Sequence, residues 1–268
     1  AGTGYQKQLD AMIEPFRSIL LGRFRNVVQD NPMQIIPTDW IRDAQKRWTP
    51  HPPAGVPMCV LSIDASGGGA DPMTIGYRHD GWFSPIEEIP GKTLPMDKIG
   101  RYTAGLIFAY RRNRAVVVID LGGGYGLPAY EHVKEQSPDI EVIGYKGAVG
   151  STARTHDKQL GFLNKRTECM WKFREALDPG QPAGSPIMLP DDPKMVADLT
   201  AVTYEVRGSI IVAEPKVDVC ERLGRSTDHG DNIIMGWSAG PLAMTHGRIW
   251  DEEHRRKTGQ GGHHPVVM

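Results

Sequence analysis

The stretch SIDASGGGADPMTIG, Ser62 to Gly76, carries an apolar run out to one carboxylate and then into three glycines. With the preceding MCVL it reads as a continuous buried strand, Met58 to Asp64. The arrangement returns in VVVIDLGGGYG, where an apolar run ends in Asp120 and Gly122, Gly123 and Gly124 follow. Ligands bind at strand ends in open α/β sheets. A carboxylate there is held rigidly by the strand behind it, and glycines beyond it let a phosphate or a metal approach the backbone. An aspartate that merely opens a turn would account for either copy alone. Two copies in one chain favour a site.

The surrounding elements decide what kind of sheet this is. MTIGYRHDGWF, Met73 to Phe83, reads as a hairpin-like return. A helix is predicted over 97–112, with Ile99, Tyr102, Leu106 and Ala109/Tyr110 on one face. AVVVID is a second buried strand and IEVIGYKG a third. Fully apolar strands separated by a helix predict an α/β fold, with a parallel or mixed sheet covered on both faces. Residues 150–190 are polar, basic and rich in Gly and Pro, and read as a loop-rich excursion. A helix over 192–205, a strand over 209–212 and an N-capped helix in STDHGDNIIMGWSAG follow. Upstream, LDAMIEPFRSILLGRFRNVV mixes helical periodicity with a glycine. PTDWIRDAQKRWTP predicts a short amphipathic helix with Thr38 or Asp39 as N-cap. Pro50, Pro52, Pro53 and Pro57 then form a stiff linker. The expected organisation is a linker segment over 1–57, the main domain over 58–245 and a loosely ordered tail over 246–268.

Bulk properties narrow the function classes. The 268 residues are 40% hydrophobic, enough for one large domain with a real core. The formal net charge of −1 gives no global basis for binding a polyanion, so any such case rests on local charge. No apolar run approaches the ~20 residues that span a membrane, and AGTGYQKQLD is not a signal peptide. Cys59, Cys169 and Cys220 are scattered without a CxxC pair, which argues against a zinc site and a disulfide framework and fits a reducing compartment.

A third acidic position lies in RSTDHGDNIIMGW. Asp228 and Asp231 are three residues apart and share a helix face. Asp228 is a good N-cap, and Asp231 could complete a capping box. Ile233, Ile234, Met235 and Trp237 follow, placing Asp231 near a helix–sheet interface, where a carboxylate needs a partner such as a metal. Three carboxylates from two strands and a helix could hold two Mg²⁺ or Mn²⁺ ions about 4 Å apart, an arrangement that serves phosphodiester cleavage. Oxygen-only ligands suit these metals rather than zinc. His229 reads as a surface residue at the helix start. Lys146, Arg154, Lys158, Lys165, Arg166, Lys172 and Arg174 outnumber Asp157 and Glu168 in the loop-rich excursion, with Phe162, Trp171 and Phe173 interleaved. That pattern suits DNA; the alternative is a solvated surface hairpin. PGKT at Pro90–Thr93 is not a P-loop, because Ile86 stands where its first glycine belongs.

Taken in order, these motifs resemble the C-terminal nuclease domain of the large terminase subunit of tailed bacteriophages, a ribonuclease H-like domain. VLSIDASGGGADPMTIGYRHDGWF is similar to its first hairpin, and VVVIDLGGGYGLPAYEHVKE to the strand bearing its second acid. LGRSTDHGDNIIMGW is similar to its SPD-x-x-DA helix, with Thr227 in place of proline and Asn232 in place of alanine. LLGRFRNVVQDNPMQIIPTDWIRDAQKRW is similar to its passage from motor to nuclease. The resemblance covers roughly residues 18–240. It implies a mixed central sheet flanked by helices, with a short N-terminal helical linker segment. It implies catalytic roles for Asp64, Asp120 and Asp231, Asp228 as a neighbouring candidate ligand, and two Mg²⁺ or Mn²⁺ ions. It further implies double-stranded DNA as substrate, the portal protein and small terminase subunit as partners, and the host cell cytoplasm as location. Terminase motors carry Walker A and B motifs ahead of this region, and this chain has neither, so it is expected to be a C-terminal part of a longer protein.

Three rivals share some of these features. The glycine loops also resemble those of actin-like ATPases and sugar kinases, but such a kinase needs a later glycine-rich adenosine loop where this chain has STDHGDN. A non-catalytic docking module, working through 150–175 and the tail, would bind no metal at Asp64 and Asp120. A resolvase-type nuclease uses the same fold. Pure protein is expected to show no ATP turnover in a phosphate-release assay, and measurable hydrolysis would favour the kinase-like reading.

Overall fold

In this computed structural model, which describes residues 30–240, the two aspartate-ended strands lie side by side within a mixed sheet. The chain runs α1 (Thr38–Arg47), β1 (Val60–Asp64), β2 (Met73–His79), β3 (Trp82–Phe83), β4 (Glu87–Ile89), α2 (Ile99–Tyr110), β5 (Val116–Asp120), α3 (Leu127–Gln136), β6 (Val142–Tyr145), β7 (Gly161–Phe162), α4 (Lys165–Leu177), α5 (Pro193–Ala201), β8 (Tyr204–Arg207), β9 (Ile210–Ala213), α6 (Lys216–Leu223) and α7 (Asp228–Trp237). The main sheet has the order β3-β2-β1-β5-β6, with β4 paired to β2. β1, β5 and β6 are parallel, and β2 is antiparallel to β1. The upstream stretch LDAMIEPFRSILLGRFRNVV and the tail from Thr245 fall outside the described residues.

Strand alternation separates two cores. Leu61, Ile63, Val117 and Ile119 pack with Ile99 and Ile107 of α2 and with Ala129 and Val133 of α3. Val60, Val116 and Val118 point the other way, against Met235 of α7. Helices thus cover both faces, as apolar parallel strands require. A smaller sheet, β7-β9-β8, and the core formed by α1, α4, α5 and α7 complete the structure.

Several elements differ from expectation. β4 was missed, because a three-residue EEI strand carries no apolar alternation. The helix expected over 97–112 spans Ile99–Tyr110 behind a 3₁₀ turn at Met96–Lys98, and its buried face is Ile99, Thr103, Ala104 and Ile107, with Ala109 exposed. α5 stops at Ala201, because Val202 is extended and leads into β8. α1 starts at Thr38 itself. The Thr38 backbone N–H and hydroxyl both donate to the Asp30 carboxylate, at 2.9 and 2.5 Å, so the cap comes from eight residues upstream.

The largest correction concerns 150–190. This region is not loop-rich throughout: it contains α4, capped by the Asn164 side chain, which accepts from the Thr167 N–H at 2.9 Å. Cys169, Met170, Phe173 and Leu177 bury one face of α4. The charged residues between them masked that period. Phe162 and Phe173 are core side chains, and Phe173 packs edge-on to Phe83 and Trp237, at 5.8 and 5.9 Å between ring centroids.

The described part of 1–57 also belongs to this core, since Ile35, Ile36, Ile41 and Ala44 cluster with Phe173, Leu199 and Trp237. Residues 33–35 lie along 202–204, joined by Ile35 N–H to Val202 O and Tyr204 N–H to Met33 O, both 2.9 Å. Arg174 donates to Ile35 O at 2.5 Å, and its guanidinium lies over Trp40 and Trp171.

Truncating Phe173 to alanine is expected to cost about 3–5 kcal/mol, as for other buried aromatics. The measurement is a lowered urea midpoint at unchanged slope. A solvated hairpin would instead lose less than about 0.5 kcal/mol.

Candidate active site

Side-chain alternation aims both strand-end acids at the same helix. Asp64 shares a face of β1 with Val60 and Ser62, and Asp120 shares a face of β5 with Val116 and Val118, the face covered by α7. The parallel register pairs Ile63 with Ile119, so the next residue on each strand is an aspartate. α7 begins at the same end of the sheet and carries Asp228 and Asp231 in its first turn. All four carboxylates line one cleft of about 990 Å³, with Arg166, Arg207 and Lys216 on its wall. Gly122 closes against the site: its N–H donates to Asp120 Oδ1 at 2.8 Å, and a Cβ there would stand 3.1 Å from that oxygen.

The acids strain against one another. Burial, then the charge of Asp120, hold Asp64 well above the usual carboxylate range; Lys216 opposes this, while Asp231 and Asp228 add to it. Burial also raises Asp120, against a hydrogen bond from Gly122 and the charge of Lys216. Asp228 is raised by burial, against a hydrogen bond from Ser226. Lys216 Nζ sits 2.8 Å from Asp231 Oδ2. Burial disfavours its charge, but Asp231, and then Asp64 and Asp228, outweigh burial and raise its pKa above the ordinary lysine value.

Three of the four carboxylates are engaged by partners of their own. Asp120 takes the Gly122 N–H, Asp228 the Ser226 hydroxyl, and Asp231 the Thr227 hydroxyl at 2.6 Å together with Lys216. Among the described residues, no group of three or more acidic, histidine or cysteine side chains is drawn together closely enough to hold a metal ion. The donor set nevertheless fits a hard divalent cation: it is all oxygen, and one ammonium faces four carboxylates, of which Asp64 is raised by the charges of the other three.

The start of α7 is fastened in ways the sequence did not suggest. Thr227, not Asp228, occupies the N-cap position, and its side chain makes no capping bond. The Gly230 N–H goes instead to Asp198 Oδ2 at 3.0 Å, and Asp198 is buried beside Arg225 at 2.6 Å. His229 is not a surface residue. It is 7% exposed, with Nδ1 2.5 Å from Asp192 Oδ2 and Nε2 2.7 Å from Glu88 Oε1. Burial disfavours the imidazolium, but Asp192 and Glu88 outweigh it and raise the histidine pKa. Glu88 is lowered, chiefly by its hydrogen bond from Lys194. Asp192 is lowered by His229 despite its burial.

Of the basic residues expected to meet DNA, Lys146, Arg154, Lys158, Lys165 and Arg166 do not stay together. Arg166 lines the cleft, while Lys165 pairs with Glu168 at 2.8 Å and Arg154 folds back on Lys158 O and Gln159 O. Lys146 and Lys158 are exposed. Arg166 Nη1 donates to Glu214 O at 2.7 Å, and its buried Nε and Nη2 have no hydrogen-bond partner among the described residues. Lys216 and Arg207 were missed. Lys216 had a readable signal, a lysine as the first residue of a helix, where the dipole disfavours a cation.

No protein-family model matches this sequence, and no curated protein does. Solved structures do. The nuclease domain of the large terminase subunit of bacterial virus Sf6 aligns with a TM-score of 0.58 at 21% identity, over 78% of this chain and 100% of that one. A mutant of that subunit with calcium gives 0.57 at 21%, over 76% and 98%. A mutant nuclease domain with manganese and beta-thujaplicinol gives 0.56 at 20%, over 78% and 100%. The fold is therefore the ribonuclease H-like fold of these phage nuclease domains.

The triad of Glu88, His229 and Asp192 gives a signed pH dependence. The two lowered carboxylates contribute stability that is present above about pH 4 and lost as the pH falls through their folded values. The raised histidine contributes stability that is full below about pH 6.5 and lost as the pH rises through its folded value. The stability gap between wild type and His229→Gln, read from urea midpoints, is expected to be widest near about pH 5–6 and to narrow toward about pH 8. A gap that widens with pH would contradict a charged triad.

Proposed function

We propose that this chain is the nuclease part of a phage large terminase subunit, a metal-dependent endodeoxyribonuclease that cuts concatemeric viral DNA during genome packaging. The observation that carries the reading is the set of four carboxylates from β1, β5 and α7, facing one cleft opposite a single ammonium. The fold shared with the Sf6 nuclease domain, studied with manganese and with calcium, supports it. Asp64, Asp120 and Asp231 are the proposed ligands, with Asp228 beside them, for two Mg²⁺ or Mn²⁺ ions. Such ions would supply Lewis acidity that activates water and stabilises charge on the leaving oxygen.

The chain's own residues would do the rest. Arg166 brings a guanidinium charge to the cleft wall, with Nη1 held by Glu214 O. Lys216 offsets the charge of Asp231 and the acids around it. Arg207, at the end of β8, extends the positive wall along the cleft. A wall of this kind positions the duplex backbone without reading bases, which suits sequence-tolerant cutting of double-stranded DNA. A portal protein and a small terminase subunit are the proposed assembly partners, and the host cell cytoplasm the proposed location. Among the described residues no helix is long and apolar enough to cross a membrane.

Incubation with plasmid DNA and Mn²⁺, read on a gel, tests the reading. Cutting should require the metal, and robust cutting in EDTA would sink it. Asp64→Asn, Asp120→Asn and Asp231→Asn are each expected to lower cleavage about 100-fold or more, since a neutral amide binds a hard cation weakly. Asp228→Asn, at the neighbouring position, is expected to lower cleavage less. Arg166→Gln should weaken duplex binding in Ca²⁺ equally across sequences and flatten the log–log salt dependence by about 0.9. An unchanged slope would place the DNA path elsewhere.

A further inference from the structure

Asn232 follows Asp231 directly and faces the sheet. Its carboxamide makes three short contacts there, besides a longer one of 3.5 Å from Nδ2 to Ser62 O. Ser62 Oγ donates to Asn232 Oδ1 at 2.6 Å, and Asn232 Nδ2 donates to Thr74 O and to Thr74 Oγ1, both at 3.1 Å. Asn232, Ser62 and Thr74 are all buried, at 1, 3 and 0% exposure. Ser62 lies two residues before Asp64 on the same strand face, and Thr74 is the antiparallel partner directly opposite Asp64. One amide therefore ties the backbone beside Asp231 to the two positions that flank Asp64.

The sheet makes room for it. The partner of Ser62 on β2 is Gly76. A Cβ there would stand 2.4 Å from Asn232 Oδ1 and 2.8 Å from Ile86 Cδ1. Where the resembled helix motif has alanine, this chain pairs an asparagine with a serine, a threonine and a glycine that fit it. The shared fold does not by itself account for that set.

We infer that Asn232 is a positioning residue that sets the spacing between Asp231 and Asp64, seated by Ser62, Thr74 and Gly76. The inference rests on the reading of those two acids as metal ligands. Apolar packing between a helix and a sheet is non-directional, whereas hydrogen bonds in a dry interior hold one geometry and penalise departures from it. Partners one step behind metal ligands typically carry 10–100-fold in affinity or activity.

The test compares wild type, Asn232→Ala, Gly76→Ala and a distant core truncation, Val133→Ala. Mn²⁺ binding is followed by calorimetry, and plasmid cleavage by kcat and KM. Asn232→Ala removes the amide, and Gly76→Ala displaces it while keeping it in the chain. Each is expected to weaken Mn²⁺ binding and lower kcat about tenfold or more, with KM for DNA unchanged. Val133→Ala should lower the urea midpoint and leave Mn²⁺ affinity and kcat at wild-type values, which separates positioning from general destabilisation. Ser62→Ala, which removes one of the three contacts, covers the case in which another variant fails to fold, and is expected to show a smaller loss of the same kind. Wild-type Mn²⁺ affinity and kcat in the folded variants would overturn the inference and leave the nuclease reading standing. A wild-type protein that neither binds Mn²⁺ nor cuts DNA would overturn both.

Discussion

Two adjacent parallel strands in register place equivalent residues side by side, and that constraint brings Asp64 and Asp120 together. Each strand ends in an aspartate one step beyond the pair Ile63 and Ile119, and alternation turns both toward α7. The price is electrostatic. Burial raises both strand-end carboxylates, and the charges of Asp120, Asp231 and Asp228 add to the load on Asp64. Lys216 answers with one positive charge, so the site holds more negative charge than its own cation offsets.

The helix that supplies the remaining acids is secured by buried polar contacts as well as packing. Asp198 receives the Gly230 N–H, His229 sits between Asp192 and Glu88, and Asn232 enters the sheet. At the far end Arg78, buried under Trp237, donates to Gly236 O and Gly240 O. Buried polar groups in such number are costly unless matched, and their directionality fixes both the rotation and the depth of α7. Asp228 and Asp231 are thus borne on an element with little freedom to shift.

Period and punctuation made part of this readable in the sequence. The strands ending in Asp64 and Asp120 announced themselves as apolar runs closed by glycines, and the fold class followed from their alternation with helices. α4 did not announce itself. Its buried Cys169, Met170, Phe173 and Leu177 are preceded by Lys165 and Arg166 and interrupted by Lys172 and Arg174, and local charge density obscured a helical period. His229 and Asn232 were opaque for another reason. Their partners lie far away in the chain, Glu88 and Asp192 for one, Ser62 and Thr74 for the other, and no local window contains them. Arg166 joined the cleft while Lys165 beside it turned to Glu168, a choice made by helix phase.

The alignment of residues 33–35 with 202–204 has a mechanical consequence. Those hydrogen bonds couple the stretch just ahead of α1 to the residues that open β8, and Thr203 and Tyr204 are part of the cleft wall. The same stretch shares a core with Trp237 of α7, so a change at this seam is felt both in the cleft wall that bears Arg207 and in the helix that carries Asp228 and Asp231.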